Sequence, residues 1–109
     1  MGMIKNLEER FGEKPVSEVA YEDANAKVIR FYLKGGQEIK PHKSPSSVYI
    51  TVLKGKLNFL LGKDNSEVEV CARGTAFYEP EELHGFKALE NSVVEAVITP
   101  KPTHKVNLS

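Results

Sequence analysis

From Lys27 onward, apolar and polar residues alternate with a period of two, which is typical of β-strands that bury one face. This pattern predicts strands at Lys27–Leu33, Ser47–Leu53, Lys56–Leu61, Glu67–Cys71, Thr75–Glu79, His84–Leu89 and Val93–Thr99. Turn-forming residues separate them, most clearly in Gly62–Ser66 (GKDNS). Short strands that begin roughly every 8–12 residues, with no room for a crossover helix, indicate an all-β antiparallel sandwich or barrel.

The first twenty residues follow a different pattern. Ile4, Leu7 and Phe11 recur at helical spacing, and Gly12 follows as a stop signal, so a short N-terminal helix is one interpretation. A loose arm or an edge strand is the alternative. We therefore describe this segment, 1–20, as a short N-terminal helix or arm.

The chain is expected to form one domain over residues 1–109. Its length of 109 residues suits a single core. The barrel should occupy about 27–102, because Pro100 and Pro102 end the sheet region. The C-terminal tail, 101–109, either adds an edge strand or stays disordered.

Strand parity divides the residues into an inward and an outward set. The predicted core is Val48, Ile50, Val52, Leu57, Phe59, Leu61, Val68, Val70, His84, Phe86, Ala88, Val94, Ala96 and Ile98. Two histidines belong to these apolar faces. His84 has the parity of Phe86, and His42 and Ser44 have the parity of Val48 if the strand continues through Pro45. Both imidazoles are thus predicted to point inward.

The amino-acid composition limits the classes of partner that the chain is expected to bind. Lys and Arg number 15 and so do Asp and Glu, so no net charge favours nucleic acid or a membrane surface. No apolar run is long enough to span a bilayer, and the N-terminus lacks the apolar stretch of a signal peptide. The single cysteine, Cys71, excludes an intrachain disulfide and a multi-cysteine zinc site, and it is expected to be a small buried hydrophobe. These features suit a cytoplasmic protein.

Two glycine-bounded segments resemble the motifs of the cupins. The stretch GQEIKPHKSPSSVYITVLKG, 36–55, is similar to the first motif, G-x5-H-x-H-x3–4-E-x6-G, with Gly36, His42 and Gly55 in place. The stretch that begins at Gly74, GTAFYEPEELHGFKALEN, is similar to the second, G-x5-P-x-G-x2-H-x3-N, with Pro80 in place and His84 one residue early. The resemblance covers roughly residues 27–102. It implies a six- to eight-stranded antiparallel jelly-roll barrel.

The departures from these motifs concern the metal ligands. In cupins, two histidines and a glutamate of the first motif and the histidine of the second hold a divalent metal. Here Ser44 replaces one histidine and Val48 the glutamate, so only His42 and His84 remain. In register, Glu82 replaces the glycine of the second motif. Glu38, Glu79, Glu81 and Glu82 are speculative replacements for the lost carboxylate.

Three functions fit these residues. The first is a small cupin that binds a small molecule in its barrel through His42, Ser44 and His84, with a weak or degenerate metal site at His42 and His84. A bound ion would be a divalent transition metal (Zn, Ni, Fe or Mn), held substoichiometrically because two imidazoles are few ligands. The second is a metal-dependent enzyme of the oxygenase or isomerase type. The third is an interaction protein with a filled barrel.

A homodimer is the expected assembly. Exposed sheet edges have to be covered, and pairing with a second copy is a common way to cover them. Tyr49 and Tyr78 are expected to pack, and such an interface is one place where they could do so. His104 lies in the tail and is expected to be solvated.

Overall fold

The computed structural model of the chain describes residues 2–61, 64 and 66–101. Within them the strands are β1 (Val16–Glu22), β2 (Lys27–Leu33), β3 (Glu38–His42), β4 (Ser47–Lys54), β5 (Lys56–Leu61), β6 (Ser66–Cys71), β7 (Thr75–Tyr78), β8 (His84–Ala88) and β9 (Ser92–Thr99). They form two antiparallel sheets, a five-stranded sheet in the order β1-β2-β9-β4-β7 and a four-stranded sheet in the order β3-β8-β5-β6. The inner faces of the two sheets pack together in an all-β jelly roll, as the strand spacing and the motifs predict.

The alternating pattern locates most strands to within a residue at each end, but two strands lack it. In β3 (EIKPH) most side chains are exposed, and Pro41 interrupts the pattern. A proline is tolerated there because β3 is an edge strand that pairs only with β8. β1 is the edge of the other sheet, and it lies largely within the segment predicted as a helix or arm.

The N-terminal segment is an arm and not a helix. Residues 2–12 have no regular secondary structure, and Ile4 is 91% exposed, so the apolar spacing builds no buried stripe. Side chains of the sheet bind the arm instead: the Arg30 guanidinium donates hydrogen bonds to the Lys5 and Asn6 carbonyls. One short turn cannot offset the cost of nucleating a helix, whereas these contacts hold an extended chain.

The core between the sheets matches the parity prediction except on β6 and at the end of β5. β4, β8 and β9 bury every predicted position, and Leu57 and Phe59 on β5 are completely buried. Leu61 and Val70 are only partly buried, and Val68 is 42% exposed. β6 is the last strand of its sheet, so its inward side chains lie at the rim of the core. For the same reason Cys71, predicted to be buried, is exposed at the end of β6.

The turn between β4 and β5 requires the glycine that closes the first motif. Gly55 has φ = 91°, in the left-handed region that disfavours side chains. A Cβ atom there would lie 2.3 Å from Ser92 Oγ. Ser92 in turn accepts a hydrogen bond from the Lys56 backbone N–H and donates to backbone carbonyls. The motif glycine thus lets β5 turn back closely against the start of β9.

We expect Phe59→Ala to destabilise the fold by roughly 3–5 kcal/mol, because the ring is fully buried and contacts Phe86 at a centroid distance of 5.3 Å. Urea unfolding measures the change. Leu89→Ala is the control, since Leu89 is 43% exposed and should change the free energy of unfolding by much less. Equal losses in the two variants would contradict the assigned core.

Candidate functional site

The two histidines of the motifs lie side by side inside the fold. His42 ends β3 and His84 begins β8, and the register of these antiparallel strands pairs them directly. Their ring centroids are 4.3 Å apart. The motif spacing predicts that the two histidines lie close together, and the pairing of β3 with β8 brings them together.

Ser44 and Val48 line the same cavity as the two histidines. The continuous strand assumed for this part of the first motif is wrong: β3 ends at His42, and β4 begins at Ser47. The intervening loop crosses from one sheet to the other, and its end is fixed by the Ser46 hydroxyl, which donates to the Pro100 carbonyl. The motif positions therefore converge because the chain changes sheets, and not because they share one strand face.

Local hydrogen bonds set the tautomer of both imidazoles. Nδ1 of His42 lies 3.0 Å from the Lys40 carbonyl, and Nδ1 of His84 lies 3.1 Å from the Glu82 carbonyl. A carbonyl oxygen can only accept, so Nδ1 carries the proton in each ring. In the neutral state Nε2 then keeps a free lone pair.

The lone pair of His84 faces open space. His84 is 4% exposed, yet over residues 2–61, 64 and 66–101 no side-chain nitrogen or oxygen is both fully buried and unpaired. Within this described part of the chain the Nε2 atom of His84 has no hydrogen-bond partner, so it borders the cavity that His84 lines. Two adjacent imidazoles thus offer hydrogen-bond acceptors, or metal ligands, to whatever occupies that cavity.

The environment keeps His84 uncharged. Burial lowers its pKa, and the neighbouring His42 lowers it further, while the Glu82 carbonyl and carboxylate oppose the shift. On the other side, Tyr78 packs against His84 with ring centroids 5.2 Å apart, and its hydroxyl donates to the Leu60 carbonyl. Burial also raises the pKa of Tyr78, so the phenol is protonated. Tyr78, which the sequence predicts to pack, does so against His84 and is buried inside the fold instead of lying at a surface.

The residues present do not fit a tightly held metal. No group of three or more His, Cys, Asp or Glu side chains suited to an ion occurs within the described part of the chain. Glu38, Glu79 and Glu81 are exposed, and Glu82 Oε1 accepts a hydrogen bond from the Glu79 backbone N–H. The four carboxylates considered as replacements therefore do not complete the site. Two imidazoles remain, which suffices only for weak binding.

The turn between β7 and β8, just before His84, shows which position of the second motif is missing in this chain. Glu81 has φ = 70°, a conformation that glycine adopts most readily, and its N–H donates to the Ser44 carbonyl. Counted back from His84, Glu81 and not Glu82 occupies the glycine position. The missing residue of the motif therefore lies between Pro80 and this position.

Ser44 is satisfied within its own loop. It is 3% exposed, and its hydroxyl oxygen accepts a hydrogen bond from the Ser46 backbone N–H at 3.1 Å. Ser44 therefore satisfies a backbone N–H of the loop between β3 and β4. Tyr49 lies on the outer face of the five-stranded sheet, and His104 lies outside the described residues.

His42 lines both a small inner cavity and a larger outer cleft, whereas His84 lines the inner cavity. The inner cavity has a volume of about 20 Å³, and its walls are the pair and the apolar core. The outer cleft has a volume of about 470 Å³ and lies between β3 and the β1–β2 edge. Both are lined by Ile29, Phe31, Ile39 and His42. The cleft could not be found from strand parity, because it lies between the edges of two different sheets.

No family model and no curated protein sequence matches the chain. Solved structures do. An RmlC-like cupin from Desulfovibrio desulfuricans is 27% identical with a TM-score of 0.82, over 92% of this chain and 97% of that one. An uncharacterised double-stranded β-helix protein from Klebsiella pneumoniae is 23% identical with a TM-score of 0.76, over 84% of this chain and 82% of that one.

The chain has the fold of a small cupin domain. KdgF from Halomonas shares the fold at 15% identity and a TM-score of 0.76, with 84% of each chain covered. The similarity to KdgF, at such low identity, concerns the fold alone. In the described residues of this cupin, no helix has the length and hydrophobicity needed to cross a bilayer.

We expect the purified protein to hold less than one equivalent of tightly bound metal, because two imidazoles leave the other ligand positions to water. The double change Ser44→His, Val48→Glu should raise the affinity for zinc or nickel markedly, since both positions line the cavity beside the histidines. Elemental analysis after dialysis against a chelator measures retention. The control is the same double change combined with His84→Ala, which should reduce the gain. Stoichiometric metal in the unmodified protein would contradict the expectation.

Acid should destabilise the fold through His84. Because its pKa in the folded state lies below the ordinary value of 6.5, the unfolded chain binds the proton more readily, and the free energy of unfolding falls as the pH drops below about 6.5. Glu18, whose pKa is lowered chiefly by the Tyr32 hydroxyl, contributes only below its ordinary value of 4.5. Urea unfolding at pH 7.5 and 5.5 measures the difference, which should shrink in His84→Gln. If the free energy of unfolding differs as much between the two pH values in His84→Gln as in the unmodified protein, another group causes the acid destabilisation.

Proposed function

We propose that this cupin binds a small organic molecule, with its polar head at the His42–His84 pair and its apolar body in the outer cleft. The observation that carries the proposal is the shared lining of cleft and inner cavity by Ile29, Phe31, Ile39 and His42. A molecule in the cleft therefore reaches the His42 imidazole without displacing the core, and His84 lies beside His42 on the wall of the inner cavity.

The volumes favour the cleft over the barrel interior as the binding space. About 20 Å³ accommodates a water molecule or an ion, whereas ligand pockets usually measure about 300–1,000 Å³. The cleft, at about 470 Å³, lies within that range. The interior is thus largely filled, and binding does not require it to be empty.

The polarity of the site favours a head group that donates hydrogen bonds. Both Nδ1 atoms are occupied by backbone carbonyls, so each neutral imidazole presents an acceptor at Nε2. His84 is held neutral by burial, so it contributes no positive charge for a carboxylate. Hydroxyl or amine donors on an apolar ring or chain would satisfy the lone pairs and contact Phe31 and Ile39. Lys40 and Glu38 at the cleft provide polar contacts for a second substituent.

The metal-dependent enzyme is the weaker candidate. A divalent metal could bind His42 and His84 and would supply a Lewis acid there, but a catalytic site usually has three protein ligands. Val48 and Ser44 supply none of the missing ones. We therefore favour a ligand-binding protein over a metal-dependent enzyme.

Catechol and 1,2-dimethoxybenzene are a matched pair of probes for this proposal. They share an aromatic ring of cleft size, but only catechol has two adjacent O–H donors. With ¹⁵N-labelled protein, catechol should shift the imidazole Nε2 signals and the backbone signals of Phe31 and Ile39, while dimethoxybenzene should not. The free protein should show both rings protonated at Nδ1.

The control variants separate the site from the rest of the surface. His42→Ala should weaken catechol binding by about tenfold, the loss expected for one hydrogen bond to a half-buried acceptor. Lys54→Ala, on the far side of the fold with its ammonium bound to Glu9, should leave binding unchanged. Equal binding of the two probes, or of catechol to both variants, would refute the donor-binding site.

A further inference from the structure

The outer cleft runs along the edge of β3 that has no strand beside it. All five residues of β3, Glu38–His42, line the cleft, whichever face of the sheet their side chains occupy. A groove that touches every consecutive residue of a strand follows its edge, because side chains alternate between the two faces. Within residues 2–61, 64 and 66–101, β3 pairs only with β8. The cleft is therefore bordered by backbone groups as well as by apolar side chains.

Two backbone N–H groups of β3 point into the cleft. The Gln37 carbonyl accepts a hydrogen bond from the Ala88 N–H of β8, and the Ile39 carbonyl also lies against β8. In a trans peptide the C=O and the following N–H point in opposite directions. The N–H groups of Glu38 and Lys40 are therefore directed away from β8 and toward the cleft. Two donors spaced two residues apart on one edge are what an antiparallel strand pairs with.

The C-terminal segment 102–109 (PTHKVNLS) has the sequence pattern of a strand that is buried on one face. Val106 and Leu108 alternate with Lys105 and Asn107. The segment lies outside the described residues, so this pattern is read from the sequence. In an extended conformation, one face of the segment is apolar and the other is polar.

The described chain ends beside the cleft. The Lys101 N–H donates to the Asn25 carbonyl, so the chain leaves β9 at the turn between β1 and β2. The Ser46 hydroxyl donates to the Pro100 carbonyl, which places the loop between β3 and β4 beside the same point. The segment that follows Lys101 therefore starts near the ends of β1 and β3, the edge strands between which the cleft lies.

We propose that segment 102–109 of the same chain lies in the outer cleft as an added strand, antiparallel to β3. The segment starts beside the end of β3 and runs toward its beginning, which is the antiparallel direction. Eight extended residues span about 26 Å and the five of β3 about 17 Å, so the segment reaches along the whole edge. Its carbonyls accept the N–H groups of Glu38 and Lys40, while Val106 and Leu108 contact the apolar wall of the cleft.

The tether favours this segment over a separate peptide as the occupant. A strand joined to the protein through Lys101 has an effective concentration at the cleft in the millimolar range, so weak pairing suffices. An uncovered strand edge pairs readily with other molecules, and an attached segment protects it. Ile29, Phe31 and Ile39 provide the apolar contact. The inference goes beyond the proposed function, because it adds a competitor for the same space.

Amide hydrogen exchange of the full chain tests the docking. The Glu38 and Lys40 N–H groups should exchange more slowly than those of an unstructured peptide. Val106→Asp should speed both by about tenfold or more, because it places a carboxylate against the apolar wall. Asn107→Asp is the matched control, since it adds the same charge to the polar face and should leave both rates unchanged. Slow exchange of the Val94 amide in the inner strand β9 verifies that both variants fold.

Three results would overturn the docking. The first is exchange of the Glu38 and Lys40 amides at the rate of an unstructured peptide in the full chain. The second is equal rates in Val106→Asp and Asn107→Asp. The third is protection that rises with protein concentration, because the segment of a second copy would then occupy the cleft.

Catechol binding, which rests on the proposed function, is the second readout. The docked segment and catechol compete for the cleft, so Val106→Asp should bind catechol more tightly, by the factor by which its amide exchange rises. Asn107→Asp should bind it as the unmodified protein does. If exchange responds as expected but no variant binds catechol, the proposed function is refuted and the docking stands. If catechol binds while the Glu38 and Lys40 amides are unprotected in the full chain, the docking alone is refuted.

Discussion

The pairing of β3 with β8 is the interaction on which the candidate site depends. It sets His42 opposite His84, and it does so at the edge of the four-stranded sheet, where β3 has no second neighbour. The same edge position leaves the cleft open beside His42. A single ladder therefore provides both the polar pair and access to it. If β3 were an inner strand, a neighbouring strand would occupy the space of the cleft.

The substitutions in the first motif form a mutually compatible set. A glutamate at position 48 would bury a charge among apolar side chains and would need a metal to compensate it. Val48 removes that requirement and joins the core at 3% exposure. Ser44 is satisfied by the Ser46 backbone N–H. The result is a cavity without a buried carboxylate at these two positions, in which Nδ1 of each imidazole donates to a local carbonyl.

The two faces of the five-stranded sheet serve different purposes. Its inner face packs against the other sheet and carries Ile29 and Phe31 to the outer cleft, whereas its outer face is covered in part by the N-terminal arm and carries the paired side chains of Arg30 and Glu95.

The sequence by itself determined the fold class, most of the strands and the inward direction of both histidines, because alternation along a strand is a local property that records which face is buried. It could not locate β3, whose exposed residues and Pro41 lack the alternating pattern, and it overstated the helical spacing of Ile4, Leu7 and Phe11 in the arm. Only the tertiary structure decided how the motif positions converge, since the loop after His42 changes sheets. It also decided the position of the outer cleft. The cleft arises where edge strands of two different sheets lie side by side, and the arrangement of strands distant in sequence is fixed by the packing of the whole core.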